Sequence, residues 1–237
     1  MLSRHNDWRV LFGLLLAVMP WAGFARAGVV AVSRDSSVRA AIIGEQTNLV
    51  DTKQTDTLDD FTATASVFDD EHGTGDATAD QASKLTIVNG QLRGFEVHGT
   101  ATAGGLDSDA SGRFHLLFHV APGETFLLTT SGDAGGGGQS ANGIGQLQLI
   151  ETTGPETLLS FRSGESPVNF AARTQIAPGS YELTFTYGAI GFSGAQADLV
   201  GTFTNAVPLP PAVWSGAATA GLAVAARRLG RRRRSAR

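Results

Sequence analysis

From Gly28 to Asn205 the chain alternates apolar and polar residues in short runs, which Gly, Asp, Asn and Pro separate. Residues 113–120 show the alternation most clearly, and residues 181–187 repeat it. A period of two places successive side chains on opposite faces of a β-strand, so every second residue of each run is expected in a core. The residues predicted to be buried in this way are Phe114, Leu116, Phe118, Val120, Tyr181, Leu183, Phe185 and Tyr187.

No segment of residues 28–205 keeps a helical period, and short turn sequences separate the runs. Asn89-Gly90 is typical of a two-residue β-hairpin, and the Ala-Pro-Gly sequences at 121–123 and 177–179 are typical of turns before strands. We predict an all-β fold, an antiparallel, jelly-roll-like β-sandwich, flanked by an N-terminal signal helix and a short C-terminal transmembrane helix. The predicted strands are 84–88, 91–98, 112–120, 124–130, 145–151, 157–162, 168–171, 180–187 and 195–204.

Residues 1–27 have the organisation of a secretory signal peptide. A basic start precedes the apolar run Val10–Ala22, and Ala25 and Ala27 supply the small residues that a signal peptidase needs. The alternative is a retained membrane helix. That run is too short for it, because residues rising about 1.5 Å each fall well below a hydrocarbon core of about 30 Å. We therefore predict export and cleavage after Ala27.

The carboxy-terminal end consists of three consecutive blocks. The proline-rich block Val207–Pro211 is expected to be extended, because proline fixes φ and lacks an amide donor. Residues 212–226 are apolar and predict a short transmembrane helix, after which arginines favour a cytoplasmic C-terminus. A basic nucleic-acid-binding arm and a solvated charge run are the alternatives, and both fit less well because the apolar block directly precedes the charges. The predicted topology anchors are Arg227, Arg228, Arg231, Arg232, Arg233 and Arg234.

This order of blocks resembles the PEP-CTERM sorting signal, over residues 206–237. Leu209 stands where a glutamate is usual, so the chain is similar to the Val-Pro-Leu-Pro variant. The resemblance implies that an exosortase, a membrane-embedded cysteine transpeptidase, recognises the proline motif and removes the tail. It also implies an inner-membrane-anchored precursor, a final position at the cell surface or outside the cell, and an association with exopolysaccharide. The residues of the motif are Val207, Pro208, Leu209, Pro210 and Pro211.

The charge of the middle of the chain differs from that of its ends. Residues 28–205 contain 8 basic and 21 acidic residues, a net charge of −13, whereas the whole chain has −4. An acidic body repels phosphate backbones, so no nucleic-acid partner is expected. The chain has no cysteine, which excludes disulfides and thiolate chemistry. Residues 28–205 are long enough for a single core, and we predict one domain there.

The stretch Asp51–Asp80 contains nine carboxylates and one base, Lys53. Clustered carboxylates suit Ca²⁺, which takes roughly six to eight oxygen ligands. However, the spacing fits no EF-hand loop, and a solvated acidic segment is the usual meaning of such a run. We expect no cofactor, with calcium as the open alternative. The candidate calcium ligands are Asp69, Asp70, Glu71 and Asp76.

Other sequences that suggest chemistry have a simpler explanation. His115 and His119 lie four residues apart in a predicted strand, about 13 Å, which is too far to share a metal ion; recruitment of His98 from another strand is a weaker alternative. The glycine-rich residues 132–139 lack the Lys-Ser/Thr ending of a phosphate loop and are interpreted as a mobile strand connection. Residues 191–195 do not complete a nucleophile elbow. We predict no catalytic residues.

Aromatic residues bear on the function of the middle domain. All three tryptophans lie in the terminal segments, and the 11 phenylalanines of residues 28–205 are predicted to fill the core. Sugar-binding surfaces usually present flat exposed aromatic rings, so this distribution does not favour a dedicated polysaccharide-binding role. The leading hypothesis is a non-enzymatic, exported surface or matrix protein. The alternative is an extracellular carbohydrate-binding module, with calcium dependence left open. A secreted hydrolase is a third hypothesis, although no local pattern selects a pair of catalytic carboxylates.

Overall fold

The computed structural model describes residues 28–44, 48–70, 75–138, 144–154, 156–163 and 168–206. These residues form ten antiparallel strands, and none of them forms a helix long and apolar enough to cross a membrane. The predicted signal helix and C-terminal helix lie outside the described residues. The strands are β1 (Val29–Ile43), β2 (Asn48–Thr55), β3 (Phe61–Asp69), β4 (Gly75–Val88), β5 (Gln91–Val120), β6 (Phe126–Gly138), β7 (Ile144–Glu151), β8 (Thr157–Ser163), β9 (Val168–Ile176) and β10 (Gly179–Asn205).

Two long strands, β5 and β10, divide the fold into two layers, because each strand bends and contributes one half to each layer. Layer 1 has the order β2, β1, β5 (108–120), β10 (179–190), β7, β8. Layer 2 has the order β3, β4, β5 (91–104), β10 (192–205), β6, β9. The layers pack face to face, with β1 on β3 and β4 at one side and β6 on β7 at the other. The predicted antiparallel β-sandwich is therefore confirmed.

The bend between the layers is built from glycines and an uneven register. Pairing of β10 with β5 passes from Ile190 opposite Asp109 to Phe192 opposite Gly104, so Gly191 alone faces four residues of β5. Gly191 has φ +71°, a conformation that favours glycine. We call this part of the molecule the corner end, which contains residues 104–108 and 190–192.

The opposite end of the sandwich, the terminal end, is where the described domain starts and stops. The Ala121 amide donates to the Gly28 carbonyl at 3.2 Å, and the Ala206 amide donates to the Thr125 carbonyl at 2.9 Å. Gly28 and Ala206, the first and last described residues, therefore lie beside the 121–125 turn. From Phe192 to Asn205, β10 extends over about 40 Å at about 3.3 Å per residue. The chain thus enters and leaves the domain at the end away from the bend.

Aromatic rings from both layers form the centre of the core. Phe95 of layer 2 stacks on Phe114 of layer 1 with ring centroids 5.9 Å apart, and Phe118 meets Phe203 edge-on at 5.1 Å. Such pairs add to the stabilisation from burial alone. Every residue predicted from the two alternating runs is at most 2% exposed, which confirms the predicted buried face.

Tyr187 fits into the core because glycines surround its ring. A Cβ atom on either Gly99 in layer 2 or Gly112 in layer 1 would overlap the Tyr187 ring. The hydroxyl donates to the backbone carbonyl of Asp80, which satisfies the one polar atom of this side chain. Burial, with a smaller contribution from the charge of Asp80, raises the pKa of Tyr187 well above its ordinary value.

Several sequence predictions were wrong in extent. The first half of the domain contains β1, β2 and β3, which were not predicted, because their small and charged residues hide the alternation. The glycine-rich segment was interpreted as a connection, but its residues up to Gly138 belong to β6 and pair with β10. Glycine is a weak strand former, and here the neighbouring strand holds it in the sheet. The Asn89-Gly90 turn is confirmed, with φ values of 54° and 76°.

Candidate functional site

Two exposed phenylalanines lie on the outer face of layer 2 at the corner end. Phe68 of β3 pairs with Asp76 of β4, and Phe192 of β10 pairs with Gly104 of β5. Since β4 and β5 are also paired, with Ala77 opposite Ala103, these four residues form one row across four strands. Phe68 is 68% exposed and Phe192 is 53% exposed. We call Phe68, Asp76, Gly104 and Phe192 the aromatic row.

The centre of the aromatic row is a carboxylate above a glycine. A Cβ atom on Gly104 would overlap Oδ1 of Asp76, so the Asp76 side chain extends over the space that Gly104 leaves open. Three strand spacings of about 4.8 Å separate the positions of Phe68 and Phe192, about 14 Å in all. The row is therefore an extended surface with a ring at each end and a negative charge between them.

Small polar side chains continue this surface away from the corner end, in two further rows across the same four strands. With the aromatic row as the first, the second row consists of Ser66, Thr78, Thr102 and Gly194, and the third of Thr64, Asp80, Thr100 and Gln196. In the third row, Asp80 accepts hydrogen bonds from Thr64 and from Thr100, the latter at 3.2 Å. No residue of these three rows is basic, and Lys53, on the edge strand β2, is paired with Asp51 at 2.7 Å.

A second polar group lies farther along the same face. Asp198 of β10 is paired with Asp133 of β6 and with His98 of β5, and His98 Nδ1 is within hydrogen-bond distance of Asp198 Oδ1. Burial raises the pKa of Asp133, and the charge and the hydrogen bond of Asp198 raise it further. This group lies six residues along β10 from Phe192, about 20 Å, so it is separate from the aromatic row.

Arg34 is a buried cation inside the sandwich. Its side chain is 1% exposed, and Nε, Nη1 and Nη2 have no hydrogen-bond partner among the described residues. Burial lowers the pKa of Arg34, and the charges of Asp60 and Asp59 partly oppose this effect. An unpaired buried charge normally destabilises a fold. Arg34 lies inside the packed layers and does not reach the aromatic row.

The candidate calcium ligands do not converge in the part of the chain that the structure describes. Asp69 is buried on the inner face of β3, whereas Asp76 lies on the outer face of layer 2. Asp70 follows β3 and is exposed, and Glu71 lies outside the described residues. Within the described ranges, no group of three or more His, Asp or Glu side chains is arranged to hold a metal ion.

The two histidines of β5 have separate partners. His119 Nδ1 lies 3.1 Å from the Ser180 hydroxyl. His115 Nε2 lies 2.9 Å from Glu182 Oε1, although the angle is not that of a hydrogen bond. The structure therefore brings each histidine to a neighbour on β10 and does not bring the two together.

The predicted processing residues lie outside the described residues. These include Ala25 and Ala27 at the expected cleavage position, the motif Val207–Pro211 and the arginines that follow it. Their prediction stays a prediction.

Sequence reasoning missed both phenylalanines of the aromatic row. The expectation that all 11 fill the core was wrong for Phe68 and Phe192. For Phe192 a signal existed. Tyr187 faces inward, and the two-residue period of a strand continues this inward face through Ala189 and Gly191. The same period places Phe192 on the outward face. The prediction had ended this strand at Tyr187. For Phe68 no comparable signal existed, because β3 had been interpreted as part of an acidic stretch.

No protein-family model and no curated protein matches the chain. Among solved structures, TmCBM61 in complex with beta-1,4-galactotriose matches with 12% identity and a TM-score of 0.31, covering 54% of this chain and 88% of that one. A CBM4 structure matches with 12% identity, a TM-score of 0.27 and coverage of 60% and 86%. The C-terminal CBM6 of LamC, a marine laminarinase from Zobellia galactanivorans, has 8% identity, a TM-score of 0.20 and coverage of 69% and 98%. At these TM-scores the likenesses carry no functional implication for this chain.

Proposed function

We propose that this chain is an exported cell-surface protein whose β-sandwich binds carbohydrate at the aromatic row. The observation that carries the proposal is the exposure of Phe68 and Phe192 in register on one face, with Asp76 between them. Exposed apolar surface that is rimmed by polar residues is typical of interaction sites and ligand-binding grooves in soluble domains.

The chemistry of the row fits an oligosaccharide better than an apolar partner. The C–H faces of pyranose rings stack on aromatic rings, whose faces carry negative charge density. Hydroxyl groups between the stacked units donate to carboxylates and exchange hydrogen bonds with threonine. Asp76, Thr78 and Thr102 supply such groups beside the rings. A span of about 14 Å between the two ring positions accommodates a short run of sugar units.

The position of the row also fits a tethered protein. The sequence-based proposal is that signal peptidase removes residues 1–27, that residues 212–226 hold the precursor in the membrane, and that an exosortase acts at Val207–Pro211. Ala206 leaves the sandwich at the terminal end, beside Thr125. The aromatic row lies at the corner end, about 40 Å along β10. A domain held by its C-terminal tail would therefore present the row away from the membrane.

The domain is proposed to bind without catalysis. Glycosidases use two carboxylates that are roughly 5 to 10 Å apart. The aromatic row contains one carboxylate, Asp76. The next acid on the same face of β4, Asp80, lies four residues away, about 13 Å, and both of its oxygens accept hydrogen bonds from threonines.

The binding proposal is tested with oligosaccharides and paired substitutions. We expect the full chain to bind hexasaccharides on a glycan array, and the double variant Phe68→Ala/Phe192→Ala to lose that binding while its unfolding transition is unchanged. Ile190→Ala is the matched control. Ile190 is also about half exposed, at 51%, but it precedes Gly191 and belongs to the layer 1 half of β10, outside the aromatic row. Equal binding by the double variant, or no binding by the natural chain, would overturn the proposal.

The surface location is tested separately. The full chain and a chain that ends at Ala206 are expressed in a host without an exosortase, and the full chain also in a host with one. Without the enzyme, we expect the full chain in the membrane fraction and the shortened chain in the medium. Release of both forms to the same extent in that host would contradict anchoring by the tail. In the host with the enzyme, mass spectrometry of the mature chain reads the cleavage position, and an uncleaved tail would contradict processing at Val207–Pro211.

A further inference from the structure

The negative charge of the aromatic row restricts the charge of the ligand, whereas the rings restrict only its shape. Asp76 lies between Phe68 and Phe192, so a ligand that covers both rings also covers the Asp76 carboxylate. Covering an ionised carboxylate removes it from water, which is unfavourable unless a donor or a cation replaces the water. A carboxylated or sulfated glycan brings a like charge and is disfavoured.

Among the described residues, none in the three rows compensates the negative charge of the aromatic row. The three rows nearest the corner end contain Asp76 and Asp80 and no basic residue. Asp80 already accepts hydrogen bonds from Thr64 and Thr100. Asp76 is therefore the carboxylate that a bound cation would meet. An ammonium group there would also lie near aromatic rings, which attract cations.

We propose that the aromatic row selects glycans that carry protonated amines, that is, polymers of N-deacetylated amino sugars. The ammonium group pairs with the Asp76 carboxylate, and the flanking sugar rings stack on Phe68 and Phe192. This inference rests on the proposed carbohydrate-binding function, and it adds the charge class of the ligand.

The test compares three hexamers by calorimetric titration of the full chain. The ligands are a glucosamine hexamer, its N-acetylated counterpart and a galacturonate hexamer. We expect the glucosamine hexamer to bind about fivefold more tightly than the N-acetylated one, the size of one exposed ion pair. We expect galacturonate to bind least. A substitution Asp76→Asn should make the first two affinities equal.

A matched control separates the site from general electrostatic attraction. Asp198 is a carboxylate on the same outer face but outside the aromatic row, so Asp198→Asn should keep the preference for glucosamine. If Asp198→Asn removes the preference, or Asp76→Asn keeps it, the inference is wrong. If the glucosamine hexamer and its N-acetylated counterpart bind the natural chain equally well, the inference fails and the proposed function stands. If no hexamer binds, both fail.

Discussion

Glycines occur beside aromatic rings both inside the sandwich and on its outer face, and they do different things in the two regions. Inside, Gly99 and Gly112 leave room for the ring of Tyr187, which is 2% exposed. Outside, Gly104 leaves room for the Asp76 carboxylate between two exposed rings. In the core, glycine leaves space that an aromatic ring fills. On the surface, Gly104 leaves space that the exposed Asp76 carboxylate occupies. Substitution at the two kinds of site should therefore affect different measurements.

The largest expected effect is on the interior glycines. Gly99→Ala or Gly112→Ala places a Cβ atom inside the Tyr187 ring, so the ring or a strand has to move. Overpacking of this kind destabilises by about 1 to 3 kcal/mol. We expect the upper end because either Cβ atom would lie 2.1 Å from the ring carbon that carries the Tyr187 hydroxyl. Urea unfolding measures the loss. A loss below about 0.5 kcal/mol for both variants would show that Tyr187 is not confined as described.

Substitution of a buried arginine and of a half-exposed one should also have different effects on stability. Arg34→Met replaces an unpaired buried guanidinium with an apolar chain of similar length, and we expect the free energy of unfolding to rise by about 2 kcal/mol. Arg39→Met is the control, because Arg39 is part of a half-exposed pair with Asp109 at 2.7 Å. That pair contributes less than about 1 kcal/mol. A large loss of stability in Arg34→Met would mean that the guanidinium is satisfied in the folded chain.

Alkaline pH tests the burial of the phenol groups. The pKa values of Tyr187 and Tyr181 are raised in the folded chain, in both cases mainly by burial. The folded state therefore keeps its protons after the unfolded chain has begun to lose them. Stability is complete below the ordinary value of 10 and falls as pH rises above it. We expect unfolding free energies from pH 8 to 12 to show this fall, with a smaller slope in Tyr187→Phe. An unchanged slope would contradict the assignment to Tyr187.

The smallest expected effect on stability is at Gly104. In Gly104→Ala the three atoms nearest the new Cβ all belong to the Asp76 side chain, which can rotate away, so the free energy of unfolding should change by no more than about 0.5 kcal/mol. The displaced carboxylate should lower affinity for the glucosamine hexamer by about fivefold, as Asp76→Asn does. Retained affinity would show that the position of Asp76 over Gly104 does not matter for binding. Leu106→Ala, at an 80% exposed residue of the corner end, is the control.

The parts of the fold that depend on local pattern could be predicted, and the site could not. Alternation in 113–120 and 181–187 identified the inward residues of β5 and β10 because one face of each strand is apolar. The Ala-Pro-Gly turn before β6 was recognised because Gly123, with φ +83°, needs the conformation that glycine supplies. The aromatic row was missed because its members come from four strands, two of which were not predicted.

By itself, the sequence determined the strand character of the domain and the inward face of its clearest strands. The signal peptide and the sorting signal at its two ends stay predictions from the sequence. These follow from periods and compositions within a few residues. Only the tertiary structure decided that β5 and β10 each cross between the layers and that Phe68 and Phe192 lie in one row around Asp76. Such a row depends on register between distant strands, which hydrogen bonding between strands and the packing of two layers set together.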